Sequence, residues 1–251
     1  MIISKSNVSH LANIIVSPDS ATQDVKVMTD GDFSSTYIDA LQDETVITFN
    51  FAEPQNIEYV AFGGSNVSQK DSVKIETSSG LFCVDESLSS VDAETLFFTK
   101  QLGEHYAVTT VTITVKGSGQ LAITEIAMGQ IYVVPHGGEQ AGYNRAWTVP
   151  NLKVRSATNL NGAPINATRE SATISCTLSV KNYVMADYDK DWKPMLNFVN
   201  NNTFYVREDD VPSHSYAGFN VTNASTKAHS STRLLGDLSM TFNANAKSVL
   251  V

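Results

Sequence analysis

The chain has 251 residues, 42% of them hydrophobic, and a formal net charge of −9. That size and apolar content suit one large β domain or two modest ones and argue against a disordered chain. The acidic balance argues against a nucleic-acid partner, which calls for a basic stripe, and no run of about 18 apolar residues is present to span a membrane.

The opening "MIISKSNVSHLANIIV" has no basic leader, full apolar stretch or small-residue cleavage site, so no secretion signal is expected. Strand signals follow in series. "ETVITFNF" alternates Ile47, Phe49 and Phe51 against Thr48 and Asn50. "NIEYVAFGG" sets Ile57 and Tyr59 against Val60 and Phe62 and breaks at Gly63-Gly64. "DSVKIETSSG" alternates Val73 and Ile75. "VTTVTITVKGSG" alternates Val111, Ile113 and Val115 and turns at Gly117, and "ITEIAMGQIYVVP" closes the series. Short β-branched runs bounded by Gly, Pro, Asn or Ser predict an all-β fold of sandwich or jelly-roll type, and no βαβ alternation points to a parallel sheet.

"VVPHGGEQAGYNRAWTVP" carries prolines and glycines without strand periodicity, so a linker is expected over 136–150, between a first domain at 1–135 and a second at 151–251. Strands resume in "NLKVRS", "ATISCTLSV", "TFYVRED", "YAGFNVTNAS" and "DLSMTFNANAKSVLV". In "DKDWKPMLNFVNNN", Trp192, Met195, Leu196 and Val199 fall at helical spacing. This predicts a short amphipathic helix from Trp192 to Val199, capped by Asp191, with Pro194 in its first turn and the asparagine run as its stop. The second domain is therefore expected to be a β-sandwich with one short helix.

The chemistry-bearing residues are few. The two cysteines, Cys83 and Cys176, lie in strand-like runs, and Cys176 shares the buried face of Ile174 and Leu178; both are expected as reduced thiols. The five histidines, His10, His105, His136, His214 and His229, show no metal-site spacing and read as surface or loop residues. Sequons at Asn7, Asn66, Asn166, Asn202, Asn220 and Asn223 read as chance products of a Ser/Thr/Asn-rich surface. "DKDW" reads as a helix cap and "REDD" (residues 207–210) as a solvated loop, not as calcium sites. No catalytic set, cofactor or resident metal is expected.

"MTDGDFSSTY" (residues 28–37) raises a sharper question. One reading is a tight corner between strands. The competing readings are a calcium loop ligated by Asp30 and Asp32, and a glycan loop in which Phe33 and Tyr37 stack on sugar faces while Asp30 and Asp32 bond hydroxyls.

The stretch "VMTDGDFSSTYIDALQDETVITFNFAEPQNIEYVAFGGSN" resembles the front of discoidin, or coagulation-factor type C, domains: an Asp-Gly-Asp turn, Ser/Thr with an aromatic, a strand, then a Pro-Gln-x-Ile step. "VTITVKGSGQLAITEIAMGQIYV" is similar to the last strands of that family, with Glu125 before the closing strand. The resemblance implies a galactose-binding-like jelly roll over residues 1–135. It also implies that Gly31 turns the chain, Asp30 and Asp32 bond nearby backbone, and Tyr37 plugs the barrel end. Tyr37 stands where the family carries Trp, and Asn50-Phe51-Ala52 where it carries Asp-Leu-Gly.

The second half is similar to distal tail and tail-tip proteins of long-tailed bacteriophages, on "DKDWKPMLNFVNNNTFYVREDDVP" and "AWTVP" followed by "LKVRSATN". That likeness implies a virion tail component, made in the host cytoplasm, that forms a homo-oligomeric ring with other tail proteins. The residues expected at assembly interfaces are Trp147, Trp192, Phe198, Phe204 and Tyr205, because large aromatics dominate interface energetics. The alternative function is a carbohydrate-binding module that attaches to a host-surface glycan.

Overall fold

The computed structural model describes residues 1–18, 24–39, 43–85, 93, 95–100, 106–135, 144–145, 151–158, 164–228 and 234–245. Among these the fold is all-β with one short α-helix, and the strands form three antiparallel sheets.

Two sheets make the jelly roll. One runs β2 (Ala12–Ser17), β4 (Glu44–Gln55), β9 (Val108–Lys116), β6 (Ser72–Thr77) and β7 (Gly80–Asp85); the other runs β3 (Tyr37–Ile38), β10 (Ala122–Gly129), β5 (Tyr59–Ser65) and β8 (Leu96–Thr99). The predicted alternation holds. Ile47, Phe49 and Phe51 of β4 and Val111, Ile113 and Val115 of β9 are buried in one core with Val60, Phe62, Ile123 and Ile126 of the facing sheet. Each such side chain contributes about 1.5–3 kcal/mol on burial.

Strand β5 departs from a simple in-and-out pattern. Tyr59, Val60, Ala61 and Phe62 are all fully buried. Val60 and Phe62 face the jelly-roll core, whereas Tyr59 and Ala61 join Phe97, Ala127, Ile131, Tyr205 and Ala217 in a separate cluster. Tyr205 and Ala217 belong to the second half. The outer face of β5 is therefore covered by another part of the chain, which is why both of its faces read as apolar.

The third sheet has eight strands, ordered β11 (Ile131–Val133), β1 (Ile2–Ser4), β15 (Phe204–Arg207), β16 (Ser215–Ala228), β17 (Leu235–Asn245), β14 (Pro164–Val184) and β12 (Asn144–Arg145), with β13 (Asn151–Thr158) also on β14. This sheet takes strands from both sides of the expected linker at 136–150. β1 and β11 lie within residues 1–135 yet extend the sheet of the second half: Ile3 pairs with Tyr132 on one side and Val206 on the other. Ile3, Tyr132 and Val134 are buried in the second core with Leu178, Trp192, Phe204, Val206 and Phe242. Within 136–150, Asn144 and Arg145 form β12 against Thr177 and Cys176, and the other residues of the expected linker lie outside the described ones. Cys176 is buried as expected, and neither cysteine is in a disulfide. Burial pushes the Cys83 thiol up to about 12, so it stays protonated at neutral pH.

The helix α1 spans Lys193–Asn201, with Pro194 in its first turn, after a π-helical turn at Tyr188–Trp192. Its expected cap is wrong. Trp192, not Asp191, holds the N-cap position, with no side-chain cap bond, and Asp191 instead pairs with Lys5 at 3.5 Å. Met195 and Val199 are buried against the sheet, and the Trp192 ring packs 5.7 Å from Tyr132 and 6.3 Å from Tyr183. The helix closes with Asn202 N–H donating to the Phe198 carbonyl at 3.1 Å.

Candidate functional site

The Asp-Gly-Asp corner is built by its own side chains. Asp30 Oδ1 accepts the Asp32 N–H at 2.8 Å, and Asp32 accepts both the Ser34 N–H and the Ser34 hydroxyl at 2.8 Å. Those two bonds hold the Asp32 carboxyl below its ordinary range. Gly31 adopts φ +75°, a left-handed conformation that a residue with a Cβ reaches only at a cost. Tyr37 is fully buried in the jelly-roll core. The corner is thus chiefly architectural, and Tyr37 has no exposed face to offer a sugar.

One edge of the corner opens into a cleft of about 560 Å³ between the jelly roll and the end of α1. Asn7, His10, Thr29, Asp30, Gly31 and Glu125 line one side; Asn201, Asn202 and Thr203 line the other. Glu125 sits on β10 opposite Gly63 of β5 and is 2% exposed. Its Oε1 accepts from Asn7 Nδ2 at 3.4 Å, while its Oε2 is buried with no hydrogen-bond partner among the described residues. Asn7 is oriented for this because its Oδ1 accepts from the Ser9 N–H and the Ser9 hydroxyl at 3.1 and 2.7 Å. Burial, and next the nearby Asp30 charge, push the Glu125 carboxyl up to about 7. At neutral pH it is therefore divided between acid and carboxylate.

Gly63 lets two further groups close in. A Cβ there would lie 2.5 Å from the Tyr205 hydroxyl and 3.0 Å from the Phe33 ring. The Tyr205 hydroxyl is buried and, like Glu125 Oε2, has no partner among the described residues. Behind them Tyr59 donates to the Ser6 carbonyl at 2.7 Å and stacks on Phe97 at 4.9 Å, which fixes this wall. On the opposite side, Asn201 Nδ2 donates to the Asn197 carbonyl at 2.8 Å and Asn202 Nδ2 to the Phe198 carbonyl at 2.9 Å. With their amide nitrogens tied to the helix, both asparagines keep their side-chain oxygens as acceptors.

The expected site residues divide sharply. Asp30 is exposed at the cleft, and Phe33, 36% exposed, lies against Gly63. Tyr37 and Asp32 are removed from it, the first by burial and the second by its bonds to Ser34. Of the expected assembly residues, Trp192, Phe204 and Tyr205 are core side chains at most 1% exposed. Phe198 is half-buried against the same core, and Trp147 lies outside the described residues. Asn201 and Asn202, read from the sequence as part of a helix stop, and Thr203, read as the start of a strand, form a wall of the cleft.

The proposed calcium pair also changes. Asp32 is engaged by Ser34, and the acidic neighbour of Asp30 in space is Glu125. Among the described residues no three His, Cys, Asp or Glu side chains gather as a metal cluster. The "REDD" stretch is a solvated loop only in part: Arg207 is a buried residue of β15, while Asp209 beyond it is occupied by the Val211 N–H at 2.8 Å and His214 at 2.7 Å.

Against known proteins, no family profile matches this chain and no curated protein matches its sequence. Several solved structures are similar to about half of it. The lectin domain of lectinolysin, complexed with Lewis b antigen, shares 14% identity over 50% of this chain and 96% of that one, at a TM-score of 0.40. A Streptococcus pneumoniae fucose-binding module shares 14% identity over 50% of this chain and 98% of that one, at 0.39. A Ruminococcus gnavus fucosidase in complex with fucose shares 15% identity at 0.40, and there the match spans 50% of this chain and 27% of the enzyme.

Proposed function

We propose that this chain is a carbohydrate-binding protein whose jelly roll presents the cleft beside Glu125 to a glycan. The observation that carries this reading is a buried polar atom, Glu125 Oε2, left without a partner among the described residues at the wall of that cleft. An unpaired buried polar atom costs about 1–3 kcal/mol. A ligand rich in hydroxyl groups supplies the missing partner. The part-exposed Phe33 ring adds an apolar surface for a sugar face. A glycan array tests the reading: binding that Glu125→Ala and Asn202→Ala both weaken supports it, and an array without a single hit ends it.

A second reading, a virion tail component made in the host cytoplasm, is supported by strand β16. Beyond Gly218 this strand bonds only to β17 among the described residues, and most of residues 219–228 are exposed on both faces. A long strand with one open edge suits a protein that pairs with neighbouring subunits or other tail proteins. The two readings are compatible, since a tail tip that displays a glycan-binding domain does both. Mass spectrometry of purified virions, with light scattering of the isolated protein, tests the second.

A further inference from the structure

Acceptors crowd the cleft, beside the His10 ring and the Thr29 and Thr203 hydroxyls. Asp30 and Glu125 bring two carboxyl groups, and no Lys or Arg lines it among the described residues. Asn201 and Asn202 spend their amide nitrogens on the helix and leave their oxygens free. These asparagines also mark the C-terminal end of α1, a nine-residue helix. Helix C-termini carry partial negative charge from unpaired carbonyls, which favours cations. Buried Glu125 Oε2 lacks a donor, and Asp30 opposes its ionisation.

A neutral hydroxyl would satisfy one acceptor but leave the mutual repulsion of the carboxyls in place. A protonated amine does both, because it offers three N–H donors and one positive charge. Resting on the carbohydrate reading above, we infer that the cleft takes a saccharide bearing a free primary amine, with the ammonium placed between Glu125 and Asp30. The ring hydroxyls then donate to the side-chain oxygens of Asn201 and Asn202.

The test is calorimetric titration at about pH 6.5, where a primary amine is protonated, with a glucosamine tetramer and its fully N-acetylated counterpart. The amine form binds on the order of tenfold tighter, and Glu125→Gln and Asp30→Asn each remove that preference while circular dichroism shows both variants folded. Equal affinity for the two tetramers, or a preference that survives in both variants, overturns the inference but leaves carbohydrate binding standing. Failure of both tetramers and of the glycan array overturns the two together. A parallel titration with calcium chloride covers the remaining cation: if calcium binds and the amine shows no advantage, the cleft is a metal site and the inference is wrong.

Discussion

Strand β9 of the jelly roll is flanked over most of its length, by β4 from Thr110 to Lys116 on one side and by β6 from Val111 to Lys116 on the other. Strand β16 of the second half, 14 residues long, pairs with β15 over Ser215 to Gly218 and with β17 from Gly218 on, so among the described residues it is flanked on both sides only at Gly218. The first belongs to a sandwich that closes on its own core. The second belongs to a broad sheet with a helix on one face and a loose edge, made of small polar residues from "NVTNAS". Asn220, at φ +52°, marks the irregularity between Phe219 and Val221 where β16 leaves its inner neighbour. The difference teaches that similar strand-forming sequences give a self-contained module in one place and an unfinished surface in the other. What separates them is how many neighbours the topology supplies.

Trp192→Ala should break this comparison most strongly. It removes the ring on which Tyr132 and Tyr183 pack, and buried Trp→Ala changes cost about 3–5 kcal/mol. Hydrogen exchange should then show β14 and β17 unprotected while β4 and β9 stay protected; equal loss in both would mean that the two halves fold as one unit.

The next effect is one of pH. Because the folded-state Glu125 carboxyl is raised to about 7 from its ordinary 4.5, the folded chain holds a proton that the unfolded chain releases. The group's stabilisation is therefore present at low pH and is lost as pH climbs from about 4.5 through 7. The loss is on the order of 2–3 kcal/mol. Urea titrations at pH 5 and pH 8 should show this fall in the wild type and not in Glu125→Gln, and an unchanged slope in the variant would place the proton elsewhere.

Gly129→Ala probes the junction where β10 leaves the jelly roll for β11. At φ +157°, and with an added Cβ 2.8 Å from the Ser6 carbonyl oxygen, it should cost about 1–3 kcal/mol. The smallest effect belongs to Asp32→Ala, which removes two exposed bonds to Ser34. A small fall in melting temperature is expected, confined to the jelly roll, and an unchanged melting curve would show that the two bonds contribute nothing.

Much of the fold was legible in the residues, because alternating runs such as "ETVITFNF" leave one sensible way to bury Ile47, Phe49 and Phe51. The helix was legible from the spacing of Trp192, Met195 and Val199, and so was the Asp-Gly-Asp turn. The partners of whole elements were not. Nothing local in "IIS" says that Ile3 lies between Tyr132 and Val206, and nothing in "NIEYVAFGG" says that its second face meets Tyr205. For the same reason Trp192, Phe204 and Tyr205 passed for interface residues: a large aromatic looks alike in a core and at a contact until its neighbours are known. The meeting of Glu125, Asp30 and Asn202 depends on strand pairing and helix placement across most of the chain, so only one edge of the cleft, at Asp30, was in view.

The three residues of β1 have one further consequence, for the order of synthesis. Ile3 needs Tyr132 on one side and Val206 on the other, and the second of these leaves the ribosome roughly two hundred residues later. Long-range pairings of this kind are slow, and segments awaiting them are prone to stray association. A nascent chain can complete the β4–β9 ladder and pair β1 with β11 early, but the other edge of β1 stays open until β15 has emerged.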